Sequence, residues 1–207
     1  MRAALAAALL APLACATTGR IAAGGPSGEG YEQALSHWTA SGQVYSKTDF
    51  VDLVVDLWAT LQSPAFREAR VQRWAQIAGL QPTEVASLQA REKDEARTEI
   101  DFFAAMQAEP VHDNDLDQEH SVWHVTLVLP DGRVIAPIAI RAFDPPNVNQ
   151  RALYPYVRNF WVGYWIRFPA VDDAGRPLLT EGTASVTLHV GSGLGQIDLT
   201  YALQRGS

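Results

Sequence analysis

Between residues 122 and 203 the chain alternates apolar and polar residues in one segment after another, and this period of two restricts the fold more than any other feature. In "VWHVTLVL" (122–129), Trp123, Val125, Leu127 and Leu129 share a face; in "SVTLHV" (185–190), Val186, Leu188 and Val190 do so; in "QIDLTYAL" (196–203), Ile197, Leu199, Tyr201 and Leu203 do so. Successive side chains of a strand point to opposite sides, so these segments predict antiparallel strands with one face buried and the other in water. "VIAPIAIRAF" (134–143) follows the turn Pro130-Asp131-Gly132 and is expected to close a hairpin with the first of them. Pro137 has no amide hydrogen for a ladder, which places an edge or a bulge there. "FWVGYWIRF" (160–168) is apolar at every even position and carries Trp161, Gly163, Trp165 and Arg167 on its other face. That strand is either central or covered on both sides.

The first half predicts two helices. Ser63-Pro64 reads as a cap with proline at the first helical position, and "AFREARVQRWAQIA" runs to a stop at Gly79. Pro82 opens the second helix, "TEVASLQAREKDEARTE", whose charged stretch 91–99 reads as a solvated face. On either side lie "FVDLVVDLWATLQ" (50–62) and "EIDFFAAMQAE" (99–109). Periodicity alone fits helix or strand for the first of these. Strand is preferred for both, because two packed layers need more strands than the second half supplies. The predicted fold is α+β and mostly β: an antiparallel β-sandwich-like domain of about seven strands with a helical pair inserted at about 63–98.

At the start of the chain, Arg2 precedes an uncharged run from Ala3 to Ala14. About 12 apolar residues suit a signal peptide, expected over 1–14, and fall short of the ~20 that span a bilayer. Leu13-Ala14-Cys15 resembles the end of a bacterial lipobox, which makes the Cys15 thiol a candidate for lipidation, although Pro12 and Leu13 stand where that pattern has leucine and a small residue. Ala14-Cys15-Ala16 equally offers the small alternating residues of ordinary signal-peptide cleavage. Both alternatives predict export. Residue 16 is Ala rather than Asp, which in the sorting pattern this resembles implies the outer membrane. Residues 15–30 are rich in glycine and read as a tether with a reach of roughly 20 Å, leaving 31–207 as a single β-rich domain.

Net charge is -7. A negative surface gains nothing from nucleic acid or from anionic lipid, so neither is expected as a partner. With one cysteine in the chain, no disulfide forms within it. The segments "ATLQSPAFREA", "SVWHVTLVLPDGRVIAPIAI" and "YPYVRNFWVGYWIRFP" resemble parts of uncharacterised predicted lipoproteins from Gram-negative bacteria, over roughly residues 45–170. The resemblance implies export and a β-rich fold, and it carries over no functional residue.

Several constellations hold residue types capable of chemistry. In "HDNDLDQEH" (112–120), Asp113, Asp115 and Asp117 alternate as the first oxygens of a calcium loop do. Gln118 and His124 stand where that loop needs glycine and a bidentate glutamate, which favours a plain polar connection. His120 and His124 share a strand face as candidate transition-metal ligands, but four strand residues separate them by roughly 13 Å. "GSGLGQ" (191–196) joins two strands and opens no helix, so it reads as a turn, and Ser192 lacks a nucleophile elbow. Asp49, Asp52 and Asp56 read as an exposed acidic face. Trp161, Trp165 and Arg167, with Tyr154 and Tyr156 close before them, are the candidate partner or ligand surface, the alternative being a core covered by a second layer.

Together these features predict an outer-membrane lipoprotein, held to the membrane by its lipid anchor, that acts as a noncatalytic binding or assembly module of the envelope toward a protein or glycan partner. No cofactor is called for. The alternatives are a secreted or periplasmic metal-assisted hydrolase and a carbohydrate-binding module.

Overall fold

A computed structural model describes residues 29–46, 52–143 and 148–203. The expected signal peptide, Cys15, almost all of the expected tether, and Asp49 lie outside the described residues. The last two positions assigned to the tether belong to a helix, α1 (Glu29–Trp38), which runs directly into β1 (Thr39–Tyr45). Then come β2 (Leu53–Leu61), α2 (Pro64–Ala78), α3 (Pro82–Thr98) and β3 (Glu99–Ala108). A short 3-10 turn and an irregular stretch lead to β4 (His124–Val128), β5 (Val134–Ile135), β6 (Ala139–Phe143), α4 (Val148–Leu153), β7 (Val162–Pro169), β8 (Ser185–Gly191) and β9 (Gln196–Ala202).

The strands form two antiparallel sheets, one ordered β1-β2-β3-β7-β6 and the other β5-β4-β8-β9. Residues 53–61 are strand, and the helical pair is inserted between β2 and β3 as the sequence predicts. Among the described residues nine strands are present against the expected seven or so. One addition is β1, whose small residues Ala40 and Gly42 show little alternation. The other arises because 134–143 is not one strand of a hairpin. Val134 pairs with Val128 in the second sheet, whereas Ile138 donates its amide hydrogen to Arg167 O at 2.8 Å in the first. Pro137 stands between them, and without an amide hydrogen it frees the chain to cross from one sheet to the other.

The inner faces meet in a shared core. Val55, Leu57, Phe102, Met106, Tyr164 and Ile166 of the first sheet pack against Val125, Leu127, Leu188, Val190, Leu199 and Tyr201 of the second. The Tyr201 hydroxyl donates to Ala59 O at 2.8 Å, satisfying a buried polar group across the layers. At one side β1 leans onto β9 so closely that a Cβ on Gly42 would lie 2.4 Å from Ile197 Cγ2. Only glycine permits that approach.

A second core lies on the outer face of the first sheet. Phe103 of β3 stacks on Tyr154 with ring centroids 4.0 Å apart, and Tyr31 and Leu35 of α1, Phe66 of α2 and Trp161 close over them. The result is three layers: helices, first sheet, second sheet. Both faces of β2 and β3 are therefore buried, which is why their apolar residues show no clean period of two.

Candidate functional site

The helical layer is built as local chemistry dictates. Ser63 Oγ accepts from Phe66 N at 3.1 Å, Pro64 opens α2, and Gly79 ends it in the left-handed region at φ 65°. In α3, Glu84 reaches back to accept from Gln81 N at 2.7 Å. Arg67 leaves α2 toward the sheet and is buried, 3% exposed. Its Nε donates to Gln62 O at 3.0 Å, one terminal nitrogen to Glu92 of α3 at 2.7 Å, and the other to Asp101 of β3. Arg70, one turn along, donates to the same Glu92 oxygen. One guanidinium thus ties helix to helix and helix to sheet.

Asp101 is the strained member of this cluster. Burial pushes its carboxyl up from the ordinary range, and the pull of Arg67 in the other direction does not fully offset it. Its second oxygen, Oδ1, has no hydrogen-bond partner; Arg167 Nε stands 3.9 Å away. Glu92 corrects the expectation that 91–99 is wholly a solvated face, for it is 8% exposed and is the buried residue of α3. A sign-alternating run cannot show which carboxylate turns inward, because that depends on arginines some twenty residues away in the chain.

Three clefts surround the first turn of α2. One of about 500 Å³ opens between α2 and α3 above Arg67 and Glu92. Another of about 840 Å³ separates α1 from α2, with Tyr31, Trp38 and Arg73 in its walls. The third, about 570 Å³, lies where α2 and α3 meet the loop after β7. Its walls include Trp38, Leu61, Ile100, Val171, Pro177 and Leu179, with Arg97 and Glu99 also lining it. Pro64 is common to the first and third clefts, and Ala65 to the second and third. The volumes are those of small-ligand or side-chain sites.

The aromatic surface expected from sequence is largely interior. Tyr154, Tyr156 and Trp161 are 1%, 4% and 4% exposed, and only Trp165 and Arg167 keep partial access to water. Tyr156 donates to Phe103 O at 3.1 Å and pairs with the Thr60 hydroxyl at 2.8 Å. Trp165 lies under the Arg70 guanidinium, 5.7 Å from its ring centroid, and Arg167 reaches Glu99 at 3.5 Å. The residues do converge, but as a core beneath the helical layer, so they form no stacking platform for a sugar. Asp56 likewise is not part of an exposed acidic face. It is buried and accepts from Trp58 Nε1 at 3.0 Å and Gln43 Nε2 at 3.1 Å.

The aspartates of 112–120 take structural roles. Asp115 accepts from Ser121 Oγ at 2.8 Å, Asp113 offers its carbonyl to Trp123 Nε1 at 2.6 Å, and Asp117 lies beside Gln118 at 3.3 Å. His120 is exposed in the connection and His124 is exposed at the start of β4, so the two do not share a strand. Among the described residues no three or more of His, Cys, Asp and Glu gather in a metal-binding group.

Arg67, Glu92 and Asp101 escaped sequence reasoning. Two signals point to them in retrospect: a lone aspartate inside the apolar run "EIDFFAAM", and arginines at 67 and 70 on one helix face.

No family model and no curated protein matches the chain. A solved structure of a novel protein of unknown function from Burkholderia pseudomallei K96243 is similar over 83% of each chain, at 10% identity and a TM-score of 0.39.

Proposed function

We propose that this protein is an exported, lipid-anchored component of the outer membrane whose β-rich domain acts as a noncatalytic binding module of the envelope. The apolar run ending in Leu13-Ala14-Cys15, with a glycine-rich stretch after it, supports the anchored part of this reading. The observation that carries the binding part is the cleft of about 570 Å³ where the helical layer meets the loop after β7. Trp38, Ile100, Val171 and Leu179 would leave the hydroxyls of a sugar unpaired, whereas an apolar side chain on a protein partner would be desolvated there at little cost. Of the charged residues that also line the cleft, Arg97 can donate to main-chain carbonyls of the partner segment and Glu99 can accept from its amides.

Two measurements test the proposal separately. Intact mass of the processed protein reports the anchor: acylated Cys15 as first residue is expected, and an unacylated chain overturns that part. For binding, the native chain and Ala96→Glu are used to capture partners from detergent-solubilised envelope. Ala96 lines two of the clefts on α3 and is only partly buried, so the glutamate places charge in the cleft without entering the core. A protein retained by the native chain and lost from Ala96→Glu, with the melting temperature unchanged, is the expected result. Equal capture by both chains removes the cleft from the mechanism.

A further inference from the structure

The second sheet presents a different chemistry on its open face. Strands β4, β8 and β9 lie side by side with Thr126, His189 and Asp198 in one row, and His124, Gly191 and Gln196 in the next. Directly opposed residues project to the same side, so both histidines, the glycine and the aspartate share this face. His189 Nδ1 is 2.6 Å from Asp198 Oδ1. An ionised carboxylate can only accept, so Nδ1 carries the hydrogen and the neutral ring keeps its free lone pair on Nε2.

Where that lone pair sits is decided by Gly191. The ring of His189 lies along its own strand over the glycine, so closely that a Cβ there would be 2.8 Å from Nε2. Gly191 is in turn the cross-strand partner of His124. Cβ positions of opposed residues are about 4.5–5.5 Å apart, which roots the His124 side chain within reach of the spot where Nε2 is exposed. A bare glycine therefore leaves open the space in which imidazoles rooted on two neighbouring strands can converge, one of them held in a fixed tautomer by a carboxylate.

We propose that His124 and His189 bind a divalent transition-metal ion, Zn²⁺ or Cu²⁺, on the open face of the second sheet, with Asp198 as the positioning residue. Imidazole nitrogen suits both ions, and water fills the remaining coordination positions. A carboxylate behind a ligating histidine raises its basicity and fixes its orientation, as Asp198 is placed to do for His189. The site is independent of the cleft under the helical layer, since its residues line none of the three clefts around α2.

The test titrates the full mature chain, free of any affinity tag, with Cu²⁺ and Zn²⁺ by calorimetry. One saturable equivalent is expected, tighter for Cu²⁺, with nitrogen hyperfine structure in the Cu²⁺ spectrum. His124→Ala and His189→Ala each weaken binding at least tenfold, and Asp198→Asn by about 10- to 100-fold. Gly191→Ala, whose new methyl occupies the place of the His189 ring, weakens it as well. The double variant His112→Ala/His120→Ala binds as the native chain does. Should an alanine variant fail to melt cooperatively, glutamine is used at that position. Absence of saturable binding, or affinity unchanged by substitution of either His124 or His189, overturns the proposal.

Discussion

On the outward side of the first sheet stand Thr60, Asp101 and Phe103, all covered by α1, α2 or residues 153–161, and Trp165, which they cover in part. On the outward side of the second stand His124, Thr126, Thr187, His189, Asp198 and Thr200, all reachable by water. The two sheets share one core, yet they use polar groups in opposite ways. Beneath the helices every polar atom must find a partner or destabilise the fold, so hydroxyls and guanidinium groups there act as cross-links. On the open sheet water satisfies them, and the same residue types are free to meet ligands. The first face is thus committed to structure, and the second is left open for the metal binding proposed above, with the clefts at the margin of the helical layer between these extremes.

Substitutions can break this comparison at its strongest point first. Arg67→Met keeps most of the apolar packing but takes the close counter-charge from buried Asp101 and leaves Glu92 to Arg70 alone, and should cost about 3–5 kcal/mol in urea unfolding. A cost under about 1 kcal/mol would mean that the cluster is not what holds α3 to the sheet. Tyr156→Phe removes one hydroxyl that serves both Phe103 O and Thr60, with an expected loss of about 1–3 kcal/mol.

Asp101 sharpens the contrast through pH. Its folded-state pKa is raised by burial, so the folded chain holds that proton more tightly than the unfolded chain. The resulting contribution to stability is complete below the ordinary carboxylate range and is lost as pH rises through the raised value. Asp101→Asn has no proton to exchange. The stability difference between native chain and variant should therefore shift toward the variant as pH rises from the ordinary carboxylate range through the raised value, and a flat difference would contradict the burial effect. The smallest effect belongs to the open face: Thr200→Ala breaks the 2.9 Å hydroxyl contact with Thr187, yet should change stability by no more than about 0.5 kcal/mol.

The contrast also explains what could be read in advance. Strands with one wet face declare themselves, and β4, β8 and β9 lie within one or two residues of the alternating segments. So do the helix boundaries at Ser63 and Gly79, which depend on chemistry within a few residues. Position 50–62 was ambiguous because β2 is buried on both sides, so neither periodicity stands out. The burial of Tyr154, Tyr156 and Trp161 is undecidable locally: what covers them is α1 and α2, more than seventy residues away in the chain. Cross-strand neighbours such as His124 and Gly191 are likewise set by register between segments that share no sequence signal.

The splice point of the helical pair carries one more consequence. Leu61 faces Phe102 in the ladder, and Gln62 N donates to Asp101 O at 2.8 Å, so the chain leaves and re-enters the sheet at adjacent hydrogen-bonded positions. A tight turn could join β2 to β3 at that place without altering their pairing. Seen this way α2 and α3 form a cassette: they roof the first sheet through Phe66 and Arg67, yet the pairing of the two strands that carry it does not depend on the path the chain takes between them.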